Sequence, residues 1–208
     1  GNWNVDKVTN MQRMFSGAGN FNQNISGWNV DKVTNMNNMF YGAVNFNQEI
    51  GDWNVDKVTD MRSMFSNAYN FNQEIGDWNV DNVTNMNNMF SGAEKFNQNI
   101  SGWNVSNVEF FHEMFHDTNH SCSVLQSIDN SFGSLNQYWN KTYAFDSIQI
   151  QNCFTSTSTT ATPHTTGVST THSISSSSTV DPTTSTEPHT TGVSATHSIS
   201  PPSTAHPT

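Results

Sequence analysis

Five tryptophans constrain this chain more than any other feature: Trp3, Trp28, Trp53, Trp78 and Trp103 recur at a spacing of 25 residues. A fixed period of roughly 20 to 50 residues marks an array of small units. Each unit is too short to bury its own apolar face and must shield it against the next copy. Here the whole unit recurs. The copy that starts at Ile25 reads ISGWNVDKVTNMNNMFYGAVNFNQE, and its neighbours differ mainly at polar positions.

The apolar spacing changes within a unit. Ile25, Trp28 and Val30 fall at i, i+3 and i+5, the leucine-rich-repeat strand pattern, and predict a short strand. Met36, Met39, Phe40 and Ala43 fall at i, i+3, i+4 and i+7, which predicts a short helix with Thr34 as its N-cap. Gly17, Gly42, Gly92 and, in the third copy, Asn67 stand where that helix would end in a left-handed residue. Phe46 follows under the loop to the next strand. The expected fold is therefore an α/β solenoid of strand, turn, short helix and loop, over residues 1–154. All nine Met residues lie in the repeats at helix-face positions, where they read as core filler rather than as a binding stripe.

The fifth copy decays: Phe111 replaces the first Met, Thr118 the Ala and Ser121 the Phe. Residues 122–154 read as a C-terminal cap. Leu125 and Ile128 suggest one more strand, Phe145, Ile148 and Ile150 another, and Phe132 and Trp139 would close the core. Cys122 and Cys153, the only cysteines, flank this cap. They are either a disulfide, which suits an exported protein, or two buried thiols. Six Asn-X-Ser/Thr sequons, at Asn24, Asn82, Asn99, Asn104, Asn119 and Asn140, are candidates for glycosylation.

Composition separates the last quarter of the chain. From 155 to 208 more than half the residues are Ser or Thr, all six prolines lie there, and Lys, Arg and aromatic residues are missing. Such a segment buries too little apolar surface to offset its chain entropy and is expected to be a disordered, mucin-like stalk or a plain linker. PHTTGVS and THSIS each occur twice in it, offset by 25 residues. The charge of the chain is −10, which argues against a nucleic-acid partner. No run of apolar residues is long enough for membrane insertion. The opening Gly1-Asn2-Trp3 already lies inside a repeat, so a processed or excised piece of a longer protein is expected.

The unit WNVxxVTNMxxMFxxAxxFNQxI resembles the BspA-type leucine-rich repeat of microbial surface proteins. It is more similar still to the surface-lipoprotein repeat of mycoplasmas and listeriae. The resemblance covers roughly residues 1–120. It implies a leucine-rich-repeat-like solenoid at the cell surface or outside the cell, with adhesion or ligand recognition as its role. It brings no catalytic residues with it.

Two sets of residues compete as functional sites. His112-Glu113-Met114-Phe115-His116 matches H-E-x-x-H, which on a helix holds zinc beside a general base. The repeat register explains it without chemistry, because Met114 and Phe115 fall at core positions and an edge helix offers no cleft; no metal or enzyme activity is expected there. The other set is a stripe of outward residues on the expected strands: Asn4, Asp6, Asn29, Asp31, Asn54, Asp56, Asn79, Asp81 and Asn104. Exposed strand faces are the usual binding surface of solenoids. The stripe is the expected contact for an extracellular protein or glycan, with Ca²⁺ bridging the Asp row as one option. Lys7, Lys32 and Lys57 neutralising that row is the competing reading, as is amide pairing along the Asn column. A structural coat that packs on copies of itself is the alternative to a binder.

Overall fold

The structure, a computed structural model, describes residues 3–155. All of them belong to one unit, Gly1–Thr160. The expected stalk, 155–208, lies outside the described residues apart from Thr155.

Each 25-residue unit is one coil, and successive coils lie in register against each other. Single parallel bridges join Asn10 to Asn35, Asn35 to Asp60, Asp60 to Asn85 and Asn85 to Phe110. The expected strand and helix within the coil are both corrected, since among the described residues 3–121 hold neither. Ile25–Val30 is not a strand: a tight turn closed by Trp28 N–H to Ile25 C=O (3.0 Å) opens it, and a second, Val33 N–H to Val30 C=O (2.9 Å), follows directly. Met36–Ala43 is not a helix but three more turns, with Met39 bonded to Met36, Tyr41 to Asn38 and Ala43 to Phe40.

The backbone escapes the helix because two residues per coil are left-handed. One position holds Arg13, Asn38, Ser63, Asn88 and Glu113, with φ between 51° and 58°. Four residues on come Gly17, Gly42, Asn67, Gly92 and Asp117, with φ between 56° and 73°. Left-handed residues break the i to i−4 ladder and turn alternate N–H groups along the stack axis. Met36, Asn38, Phe40 and Gly42 accordingly donate to the carbonyls of Asp60, Arg62, Met64 and Ser66 in the next coil, at 2.8–3.0 Å. The turn spacing still sends Met36, Met39, Phe40 and Ala43 inward, and all four are fully buried.

Inside, like residues stack on like. Phe40, Phe65 and Phe90 lie 5.7 and 5.8 Å apart between centroids, and Trp28–Trp53 and Trp78–Trp103 lie at 6.4 Å with near-parallel rings. Such offset stacking suits the ring quadrupoles. Each buried indole is satisfied by the coil before it: Trp53 donates to Ile25 C=O, Trp78 to Ile50 and Trp103 to Ile75, at 3.1–3.3 Å. Trp3, with no coil before it among the described residues, is 59% exposed.

Three helices end the stack: α1 (Cys122–Leu135), α2 (Lys141–Ala144) and α3 (Ser147–Phe154). The strands expected at Leu125–Ile128 and Phe145–Ile150 are corrected by α1 and α3. Leu125, Ile128 and Phe132 are the buried i, i+3, i+7 face of α1, which Ser121 caps, while Ile148 is exposed. Trp139 packs edge-on against Phe132 and donates to Asp129.

The cap also completes the last coil's hydrogen bonds. Glu113 and Phe115 N–H donate to the Tyr143 and Ala144 carbonyls, and Asp117 N–H to Asp146 Oδ2. Asn136 Nδ2 reaches the Val105 and Val108 carbonyls, and Ser131 Oγ that of Ser101. An exposed ladder of unpaired backbone groups is thereby closed. Of the two readings of the cysteines, the structure has the disulfide: Cys122 and Cys153 join α1 to α3.

Candidate functional site

The Asn and Asp stripe is exposed except for the half-buried Asp31, but its amides are engaged locally. In each coil the Asn Oδ1 accepts the N–H two residues on: Asn4 from Asp6, Asn29 from Asp31, Asn54 from Asp56, Asn79 from Asp81 and Asn104 from Ser106, at 2.9–3.2 Å. The column is a series of Asx turns that start each Val-x-x-Val bend. It does not pair amides along the stack. That pairing occurs on another face, where Asn45 donates to Asn20 and Asn70 to Asn45, and where Asn22, Asn47 and Asn72 each accept the backbone N–H of the next coil.

Among the described residues the Asp row is in no ion pair. Lys32 Nζ donates instead to the Asp6 carbonyl, and in later coils Asn82 and Asn107 do the same to Asp56 and Asp81. Asp31 Oδ1 is enclosed without a hydrogen-bond partner. Among the described residues no three His, Cys, Asp or Glu side chains are arranged to hold a metal.

The H-E-x-x-H string loses the helix that its chemistry needs. Glu113 is left-handed, its Oε2 accepts from Asn88 Nδ2 at 2.9 Å, and His112 and His116 pair separately with Glu113 and Asp117. The third histidine, His120, is held under the cap. Its Nε2 donates to the Gln98 carbonyl at 3.2 Å, and burial pulls its pKa down to about 4. All six sequon asparagines are exposed. Asn24, Asn99, Asn104 and Asn140 hold the N–H of the sequon Ser or Thr, while Asn82 Nδ2 is bonded to Asp56 C=O.

A groove of about 770 Å³ runs across the turns that precede each Trp, and the sequence reading missed it. Copies two and three carry Glu-Ile-Gly-Asp here, where copies one and four carry Asn-Ile-Ser-Gly. Glu49, Asp52, Glu74 and Asp77 thus line the middle, with Gln73, Gln98 and Asn99 beside them. The coils close up under the groove: a Cβ on Gly51 would come within 2.6 Å of the Glu74 carbonyl, and one on Gly76 within 3.0 Å of that of Asn99. All four carboxylates are exposed, and none is in an ion pair among the described residues. The groove therefore concentrates negative potential on one face. The signal for it was the acid pair that appears only in the central copies.

The model of a family described as "Mycoplasma protein of unknown function, DUF285" matches residues 1–80 and 48–157. The chain belongs to this family. The DUF285 match runs through all five coils and the cap, beyond the residue 120 at which the repeat resemblance stops. It shows a mycoplasma-type repeat family. No curated protein and no solved structure matches the chain.

Proposed function

We propose that this chain is a non-enzymatic repeat protein of the cell surface or extracellular space, of the BspA-type leucine-rich-repeat kind, whose coils form one solenoid with a ligand-binding face. The groove lined by Glu49, Asp52, Glu74 and Asp77 carries this reading, because four unpaired carboxylates on a rigid stack favour one class of partner. That partner is an extracellular protein with a basic, exposed segment. The groove takes over the contact role from the Asn and Asp stripe, whose amides serve the turns. The disulfide and the exposed sequons suit an oxidising compartment.

The test is binding of the full chain to an array of extracellular-matrix proteins at low and high salt. The comparison is a variant carrying Glu49→Gln, Asp52→Asn, Glu74→Gln and Asp77→Asn. Specific hits that weaken at least about tenfold in the variant and fall with salt are expected. Concentration-dependent self-assembly without hits, or hits that ignore the four substitutions, would overturn the proposal in favour of a structural coat.

A further inference from the structure

The fifth coil breaks a rule that the other four keep. Where the Met segment begins, Asn10, Asn35, Asp60 and Asn85 each accept the N–H of the residue two on, at 2.8–3.0 Å. The fifth coil has Phe110, which cannot, and its residue His112 bonds back to Asn87 Oδ1 at 2.7 Å instead. Phe110 gains no burial in exchange, since it is 49% exposed. A large apolar ring that takes the place of a hydrogen-bonding residue and stays half exposed breaks the local rule, and such breaks concentrate at functional or strained sites.

Its neighbours share the anomaly. Tyr138, between α1 and α2, is 58% exposed and Tyr143, in α2, is 63% exposed. With Phe110 they line a cleft of about 280 Å³, together with Asn87, Glu109 and His112. That volume lies near the lower end of small-ligand sites, roughly 300–1,000 Å³. The cleft has flat aromatic faces and a rim of hydrogen-bonding groups, and no Lys or Arg lines it. Glu109 and the net charge of −10 repel phosphate, sulfate and acidic sugars. A pyranose ring has an apolar C–H face that stacks on an aromatic ring and an equatorial edge of hydroxyls.

We propose that the cleft between the fifth coil and the cap binds a neutral pyranose residue of a glycan, stacked on Phe110, Tyr138 and Tyr143 and hydrogen-bonded by Asn87, Glu109 and His112. Asn87 keeps its Nδ2 to donate, Glu109 accepts from hydroxyls, and the imidazole of His112 does either. This site is separate from the acidic groove and stands whether or not the groove binds protein. Asn140, a sequon asparagine, also lines the cleft, so a glycan attached there would compete for it.

The experiment uses the full chain made in a host without N-glycosylation. Saturation-transfer NMR and calorimetry are run with mannotriose, cellotriose, chitotriose and lactose. Phe110→Asn is the principal variant, because it restores the residue that three of the other coils carry and keeps the fold. Tyr143→Ser is the second, and the four-fold groove variant is the control. Saturation transfer to ring protons of at least one sugar is expected, with affinity at least about tenfold weaker in both cleft variants and unchanged in the control. Silence from all four sugars would overturn the proposal. So would equal binding by Phe110→Asn, or binding lost only in the groove variant.

Discussion

The tryptophan column allows one residue type to be removed from the same place in coils that differ only in what lies on either side. Trp78 is 3% exposed, stacks on Trp103, and gives its indole N–H to the Ile50 carbonyl. Trp78→Ala removes a fully buried ring, which costs about 3–5 kcal/mol. It also removes one of the two hydrogen bonds that carbonyl accepts, the Trp53 N–H keeping the other, at about 1 kcal/mol more. Trp3 holds the equivalent place but is 59% exposed, with its ring stacked on Trp28 and Phe15 at centroid distances of 6.1 and 6.3 Å. Trp3→Ala should cost below about 1 kcal/mol. The gap of at least about 3 kcal/mol corresponds to at least about 1.5 M in urea midpoint for an m-value near 2 kcal/mol/M. Urea unfolding followed by far- and near-ultraviolet circular dichroism measures it, with Trp28→Ala expected in between. Equal losses for Trp3 and Trp78 would refute the reasoning, because burial by the neighbouring coil is then not what stabilises the column.

Three further outcomes follow from particular contacts. Cys122→Ser with Cys153→Ser opens a link across 31 residues, worth about 3–4 kcal/mol by chain entropy. The described helices all lie in the cap, so the 222 nm signal should melt earlier; an unchanged midpoint would count against the cap as a pinned unit. His120 has a folded pKa of about 4, below its unfolded 6.5, so its contribution is complete above pH 6.5 and is lost as pH falls toward 4. The loss is on the order of 3 kcal/mol, and His120→Gln should flatten stability across that window; an equally steep profile in the variant would refute it. Ser63 sits at φ 53°, where glycine is unstrained, so Ser63→Gly should be neutral or stabilise by up to about 1 kcal/mol. A thermal melt showing a clear loss would mean that its side chain matters more than its backbone.

The period and the inward residues were readable because identical units must meet identical neighbours: Trp53, Met61, Met64 and Phe65 are all buried. The local backbone was not readable. Met36, Met39, Phe40 and Ala43 carry the spacing of a helix face, and a chain of turns with left-handed residues at Asn38 and Gly42 delivers the same four inward. Gly42 hinted at this; Arg13, Ser63 and Glu113 at the other left-handed position did not, since such residues rarely adopt it. The deciding term is non-local, namely the N–H groups that the next coil accepts. The outward face misled for a similar reason. Asn29 and Asn54 look available in the sequence, and only the Asx turns show that they are used. The groove, by contrast, depends on whether a copy reads Glu-Ile-Gly-Asp or Asn-Ile-Ser-Gly, a difference that resembles neutral polar variation until the coils lie side by side.

Every junction between coils is made by the same N–H groups reaching forward to the same carbonyls, and only the last is closed by different chemistry, from Tyr143, Ala144 and Asp146. Inserting or deleting one whole unit among the regular coils, ahead of the fifth, leaves both kinds of junction intact. The described unit is thus a countable series of coils with a fixed stop. The number of coils, and of charged turns along one edge, can be reset by gene duplication without redesigning those junctions.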